Sequence, residues 1–479
     1  MKTTKKIILT GMACLFYASE LFAGGILTNT NQSVHFLRNP ARDASTEIDA
    51  VYTNPAGLAK LSEDGFHFSL NNQSAFQTRT ITSTFEPFKM NGGDATKVFK
   101  GESKAPFIPS LQAAYKMDKW VFSGSFAIVG GGGTAKFKEG LPSFEVPVAM
   151  LPGMANGMLA QMGMPESFNV TKYSLEQSLE GTSMIFGGQL GATYAINDMF
   201  SAFVGARLSV VSNAYKGYLR DIRINPNIPP MGLSGENMIP ATSFINGLAG
   251  TGMISQGQAA ALLAQVSDKE IDCTQGGMGI APILGLNFNC GKLNVGLKYE
   301  FKTVIDIENK TTIDDTGKFP DGDKIPNDIP ALFTVGAQYD IIPCVTISAG
   351  YHHFFDSDAR MAEMEDPNTG ELVGKQNFIN GGANEYLFGA EWRINKMFLI
   401  SSGAQITRTG VTNTYQSDLS HSLHSYSVGF GGAVNVTESI RINAAYFFTN
   451  YKDWPVQTPI ATVFSRTNKA FGIGVDFRF

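Results

Sequence analysis

Cysteine is scarce. Cys14, Cys273, Cys290 and Cys344 are the only four in 479 residues, and none forms a CxxC pair. A thiolate metal site and a disulfide-stapled scaffold are thereby excluded, while a single Cys273–Cys290 bridge stays open beside the plainer reading of small buried thiols. Charge is also thin, at 16% of residues, and the net charge of -5 comes with no Lys/Arg block beyond the first residues. Phosphate backbones need concentrated positive charge, so no nucleic-acid partner is expected. The six histidines fall in no Ser/His or metal-ligand spacing. No catalytic residue, metal or cofactor is expected, and the chain does not read as an enzyme. The acidic stretch Asp314–Asp323 lacks the full ligand spacing of a calcium loop. The most telling absence is of long apolar runs. Beyond the N-terminus nothing approaches the roughly 18 consecutive apolar residues of a membrane helix, although 43% of the chain is hydrophobic and 11% aromatic.

The N-terminus carries Lys2, Lys5 and Lys6, an apolar run from Ile7 to Ala18, and Ser19-Glu-Leu-Phe-Ala23. This predicts a secretory signal peptide over residues 1–23 with cleavage after Ala23. Acylation at Cys14 is the alternative, with a very short apolar core.

From residue 63 to 479 the apolar residues are spread singly, in alternation with polar ones, which is the period of a strand with two different faces. Phe471, Ile473, Val475, Phe477 and Phe479 share one face of the last strand; Gly472, Gly474, Asp476 and Arg478 share the other. Leu293, Val295, Leu297, Tyr299 and Phe301 repeat the division. Such segments number about fourteen, starting near residues 66, 110, 120, 183, 199, 278, 292, 331, 344, 385, 397, 424, 439 and 469. Their links alternate between short turns, such as Asn197-Asp198 and Asn395-Lys396, and long loops, such as 131–182 and 214–277. A soluble sandwich has no reason to sort loops by length, whereas an outer-membrane barrel does. The fold expected is all-β: a transmembrane antiparallel barrel closed by pairing of its last strand with its first, because an open edge in hydrocarbon leaves backbone groups unsatisfied. The lumen-face charges Arg207, Lys298, Arg393, Arg441 and Arg478 are expected for the most part to pair with Asp476, Glu300, Glu391 and Asp340, with a carboxylate head group of a ligand as the alternative partner for some.

Residues 24–62 do not alternate and suit a polar lumen. They form either a plug or a small periplasmic extension. Gly24-Gly-Ile-Leu-Thr-Asn-Thr-Asn-Gln-Ser33, Ala41-Arg-Asp-Ala44 and Asp49-Ala-Val-Tyr-Thr-Asn-Pro-Ala-Gly-Leu58 resemble the start of the FadL-like long-chain fatty-acid transporters. Asn54, Pro55 and Ala56 are the centre of the match. The resemblance implies an N-terminal hatch inside a fourteen-stranded barrel, passive uptake of fatty acids or other hydrophobic molecules, and a kink in the third strand through which ligand leaves sideways. Gly130, Gly131, Gly132 and Gly133 are the candidates for that kink, beside the alternative of a flexible loop start. In the loops, Met150, Met154, Met158 and Met162, with Leu151 and Leu159, make one helical face, and Phe244 and Leu248 belong to a second. They line an outer ligand groove or bury against each other to cap the barrel. A bacterial outer-membrane location, contact with its lipid, and a monomer are expected. A surface adhesion or structural barrel is the competing function.

Overall fold

The computed structural model describes residues 28–479; the signal-peptide reading and the Gly24–Leu27 part of the family resemblance lie outside the described residues. Fourteen antiparallel strands close into one barrel. They are β1 (Gly65–Thr84), β2 (Thr96–Met117), β3 (Trp120–Phe137), β4 (Asn169–Ala195), β5 (Phe200–Ile228), β6 (Lys269–Cys290) and β7 (Leu293–Glu300, resuming as Asp306–Asp314). Then follow β8 (Lys324–Pro326, resuming as Leu332–Ile342), β9 (Val345–Phe354), β10 (Asn384–Arg393), β11 (Phe398–Arg408), β12 (Ser425–Asn435), β13 (Ile440–Tyr451) and β14 (Ala461–Arg478). Closure runs from His67 opposite Arg478 to Thr84 opposite Ala461.

The expected faces are the observed ones. Outward residues form an exposed apolar belt, with Leu190, Val204, Ile280 and Ile473 among the barest. Trp120, Tyr194, Phe200, Tyr339, Trp392 and Phe398 ring its lower rim beside the short turns. Water does not tolerate such a belt, and hydrocarbon flanked by an interfacial aromatic girdle does. Ile473→Arg, with charge placed on the bare face, is expected to lower stability by about 2–4 kcal/mol. Reversible urea unfolding in lipid bilayers measures it. Arg478→Ala should change little, since that guanidinium already reaches the Glu438 carbonyl and Ser62 at the rim; equal losses would reverse the face assignment.

Five strand starts fall earlier than the alternation predicts: β2, β4, β6, β8 and β14 begin at Thr96, Asn169, Lys269, Lys324 and Ala461. The cause is an inversion of polarity above the belt. On upper β1 the outward residues are Thr78, Thr80, Thr82 and Thr84, while Arg79, Ile81 and Ser83 are buried. On β2, Lys100, Glu102 and Lys104 face outward and Phe99 is buried inward. There the wall stands in water and encloses an apolar interior, as a soluble sheet does. Four loop helices complete that upper chamber: α1 (Pro142–Ala149), α2 (Leu151–Gln161), α3 (Ala241–Gly250) and α4 (Gln256–Val266). Cys273 and Cys290 sit near opposite ends of the same strand, β6, and both are free, so the bridge left open above does not form.

Candidate functional site

Residues 28–61 run inside the barrel and are almost entirely buried. Their partners come from around the whole wall. Ser110 Oγ donates to the Gln32 carbonyl (2.7 Å) and the Val34 amide to Asn71 Oδ1 (3.0 Å). Arg38 reaches Glu391 (2.6 Å) and Ser401 (2.9 Å), and Arg441 reaches Glu47 (2.6 Å). Arg42 grips Asp49 through two nitrogens at 2.8 and 2.7 Å. Lys298 donates to the Tyr52 carbonyl at 2.9 Å, and Lys298 and Arg207 both lie over the Tyr52 ring, at 4.4 and 4.8 Å from its centroid. Of the expected inner ion pairs, Arg207–Glu300 and Arg393–Glu391 form. Asp476 instead meets His35 at 3.1 Å, and Asp340 accepts from Thr346 at 2.5 Å. Lys298 donates to the segment, and Arg441 bridges the two, bonding Glu47 of the segment and Asn435 of β12 (2.8 Å).

Asn54, Pro55 and Ala56 form a turn that fastens this segment to three strands. Asn54 Nδ2 donates to the Ser45 carbonyl (3.0 Å) and to Asn287 Oδ1 of β6 (2.8 Å). Pro55 opens a 3-10 turn, where its missing N–H costs nothing. Its carbonyl accepts from Thr193 of β4 and that of Ala56 from Ser201 of β5, both at 2.7 Å. The Ala56 methyl packs against Phe203 and Ile283. The space for this close fit comes from wall glycines. A Cβ at Gly296 would stand 2.1 Å from the Asp43 carbonyl, and one at Gly389 would stand 1.8 Å from Asn39 Oδ1. Gly296, Gly336 and Gly350 are register partners across β7, β8 and β9; Gly389, Gly403 and Gly429 are partners across β10, β11 and β12.

The wall itself is interrupted between β2 and β3. Pairing holds from Gly101–Phe137 to Ser103–Ala135 and again from Leu111–Phe126 to Met117–Trp120, with no ladder between. On β2 the gap contains Pro106 and Pro109, which have no N–H to offer. On β3 it contains Gly130–Gly133, with register shifts against β4 at Ile128/Gly130 and Gly131/Gly133. Gly131 and Gly133 have φ of 77° and 85°, a left-handed backbone that side chains disfavour. The inner segment supplies substitute partners to the released carbonyls: the Asn29 amide bonds Val129 O (2.8 Å), Asn29 Nδ2 bonds Gly131 O (2.8 Å), and Gln32 Nε2 bonds Ile128 O (3.3 Å). The sequence reading did not reach Asn29 and Gln32, because nothing in their local pattern marks a partner a hundred residues away.

In the loops the methionine helix divides. Leu151, Ala155 and Leu159 are buried in the upper apolar cluster and face β4; Met150, Met154, Met158 and Met162 are half-exposed. Phe244 and Leu248 are buried in the same cluster. The four methionines thus lie between the exposed side of this helix and its buried side, with Met162 packed on the cluster itself. The β11–β12 loop closes over the chamber. Asp418 there accepts the Ser143 N–H of α1 at 2.7 Å, and burial pushes its carboxyl above the usual range. His35, Glu47 and Asp49 lie within 4.8 Å of one another. That trio already serves Arg42, Arg441 and Asp476, so it belongs to the ion-pair network and is not assigned to a metal.

No family model and no curated protein matches the chain. Solved structures do. A FadL homologue of Pseudomonas aeruginosa superposes with a TM-score of 0.63 at 12% identity, over 96% of this chain and 100% of that one. The toluene transporter TodX of Pseudomonas putida superposes with a TM-score of 0.56 at 14% identity, over 97% and 100%. A TodX deletion mutant, described as a monoaromatic hydrocarbon channel, gives 0.58 at 15% identity over 93% and 99%. At these identities the shared property is the fold.

Proposed function

We propose that this FadL-type barrel sits in the bacterial outer membrane and takes up hydrophobic small molecules passively, long-chain fatty acids among them. The observation that carries the reading is the interrupted β2–β3 ladder, whose free carbonyls are held by Asn29 and Gln32 of the segment filling the lumen. A barrel meant only as scaffold or adhesin gains nothing from an unpaired stretch of wall, and an unpaired stretch in hydrocarbon is costly. A ligand caught at Met150, Met154, Met158 and Met162 passes through the apolar chamber. The segment around Asn54, Pro55 and Ala56 acts as its hatch, and Gly130–Gly133 mark the sideways exit. The solved relatives of this fold include proteins described as transporting toluene, which supports an apolar cargo.

Uptake of radiolabelled oleate and toluene by a transporter-null strain expressing the chain tests the reading. No gain over empty vector for either compound would end it. The exit is tested separately by a staple across the gap. A Cβ at Gly133 would stand 3.4 Å from the Ala105 Cβ, close to the 3.5–4.5 Å usual for a disulfide. With Cys273, Cys290 and Cys344 replaced, the Ala105→Cys/Gly133→Cys pair should fall to a small fraction of parental uptake when oxidised and recover on reduction. Full uptake in the oxidised form would place the exit elsewhere.

A further inference from the structure

On the outside of the barrel, the wall above the belt is not evenly charged. Along β3 to β8, carboxylates of neighbouring strands neutralise Lys136 (Glu180, 2.8 Å), Lys216 (Asp272, 2.9 Å), Arg220 (Glu176, 3.0 Å) and Lys324 (Glu308, 3.7 Å). The stretch from β11 through the closure to β2 is built differently. Lys104 of β2 and Lys469 of β14 are both register partners of Phe76 on β1, and all three are exposed on the outer face. Further up β1, Thr80 stands between Lys100 of β2 and Ser465 of β14. Exposed Lys452, at the end of β13, adjoins Asp453, whose carboxylate takes the Ser465 hydroxyl. Arg408 of β11 completes the arc: its guanidinium lies 4.7 Å from the Tyr426 ring centroid and donates to the Tyr426 hydroxyl at 2.6 Å. Within the arc the carboxylates are Asp453 and Glu102, the latter 3.6 Å from Lys104. Among the described residues Lys100, Lys452, Lys469 and Arg408 form no ion pair with a carboxylate.

Lys104 and Lys469 are two strand spacings apart, about 10 Å, so their charges repel with little screening unless an anion comes between them. The height of the arc says what kind of anion. Phe76, between the two lysines, is 41% exposed, and below it on β14 follow Phe471 and Ile473 of the belt. The ammonium groups therefore stand where acyl chains end and headgroups begin, which suits an amphiphile of the bilayer better than a soluble partner. The outward hydroxyls of Thr78, Thr80 and Thr82 run up the middle of the arc and can both donate to and accept from a sugar. Ammonium and guanidinium groups are the usual partners of phosphate. The long loops put this edge in the outer leaflet. We propose that Lys100, Lys104, Lys452, Lys469 and Arg408 form a one-sided seat for the phosphorylated glycolipid of that leaflet, lipopolysaccharide, held through its lipid A phosphates. One end of the seat is β2, whose next residues, Pro106 and Phe107, enter the unpaired stretch of wall; the bound lipid borders the gap. The inference rests on the outer-membrane placement and is independent of what the barrel transports.

The full chain in a neutral detergent is titrated with diphosphoryl lipid A and with dephosphorylated lipid A, and bound lipid is counted by native mass spectrometry. The diphosphoryl form is expected to bind at least about twenty-five-fold more tightly, and 0.5 M salt, roughly a 4 Å screening length, should remove most of that preference. Lys100→Gln/Lys469→Gln should lose about fivefold for each lysine, the factor one basic residue commonly contributes beside an anionic headgroup, and should leave the dephosphorylated form bound as before, which also shows that the variant folded. Lys136→Gln is the control, because Glu180 already neutralises that lysine; its affinity should be unchanged. Equal binding of the two lipids, or a loss in Lys136→Gln as large as in Lys100→Gln/Lys469→Gln, would overturn the seat. So would displacement of lipid A by an equal concentration of inorganic phosphate or of an acidic peptide, since the arc would then recognise charge without the lipid. Uptake of oleate or toluene enters none of these readouts, so the two readings fail separately.

Discussion

His352→Phe is expected to destabilise the folded barrel by about 3–5 kcal/mol, the usual loss when one partner of a buried charge set is removed. His352 projects inward from β9 with Nδ1 2.8 Å from Glu385 and Nε2 2.8 Å from Asp43. Because both ring nitrogens face carboxylates, both carry protons, and the imidazolium stands between two anions. Glu385 also accepts from Gln405 (2.6 Å) and Thr407 (3.1 Å), whereas Asp43 Oδ2 has no partner among the described residues. Asp43 therefore depends on His352 more than Glu385 does. Phenylalanine fills the same volume and leaves two buried carboxylates facing each other. Urea unfolding in bilayers gives the loss directly. Adding Asp43→Asn and Glu385→Gln should recover most of it, since the penalty comes from uncompensated charge and not from shape. A loss under about 1 kcal/mol would mean that water or another cation already neutralises the pair.

Asp43 ties the inner segment to β9 through His352, and its importance was not visible in the chain. Ala41-Arg-Asp-Ala44 drew notice only as part of a family resemblance. The barrel was far more legible. Where a strand crosses hydrocarbon, the solvent is apolar and the lumen polar, so alternation in sequence maps directly onto outside and inside; Phe471 to Phe479 and Leu293 to Phe301 could be assigned residue by residue. The short turns were readable for the same reason, since they interrupt two opposed periodicities at once. Legibility failed where the environment changed. Above the belt the outward threonines of β1 and the charges of β2 face water, the period of two persists with reversed polarity, and a search for apolar outward residues stops too soon.

The site was less legible because its geometry depends on contacts distant along the chain. Asn54-Pro55-Ala56 reads locally as a rigid turn, which it is. Its anchoring by Asn287, Thr193 and Ser201 needs the barrel to be closed before it exists. Gly130–Gly133 did announce a weak stretch of strand, because four residues without side chains cannot pin a register. That the partner strand is also disabled, by Pro106 and Pro109 on β2, follows only once β2 is known to run through them. The inward glycines were a signal left unused. In strands whose inner positions are otherwise Asn, Gln, Ser, Glu and Lys, a glycine at the inner position of several strands in register marks where something else occupies the lumen.

That reasoning leads to the largest functional change expected of a single residue. Gly389→Val adds a β-branched side chain that a strand accepts readily, so the wall should assemble unchanged. Its Cβ, however, would stand 1.8 Å from Asn39 Oδ1 and 2.5 Å from Asn39 Cγ. Asn39 cannot retreat easily: its Nδ2 donates to Ser348 and its Oδ1 accepts from the Ala41 amide, while Pro40 next to it occupies the space that a Cβ at Gly403 would need. Arg38 one residue earlier is fixed to Glu391 and Ser401. The clash is therefore relieved by lifting the segment from the wall, which breaks those contacts together and opens a fourteen-stranded lumen to water. Conductance in planar bilayers should rise by at least about tenfold, as expected when a plugged barrel becomes a water-filled one. Far-UV circular dichroism should be unaltered. Gly188→Val is the control, because a Cβ at Gly188 meets nothing within 4 Å and the position faces outward. A Gly389→Val barrel that folds and stays closed would show that the segment can reseat without Asn39, and that the glycine girdle serves strand packing instead of the plug.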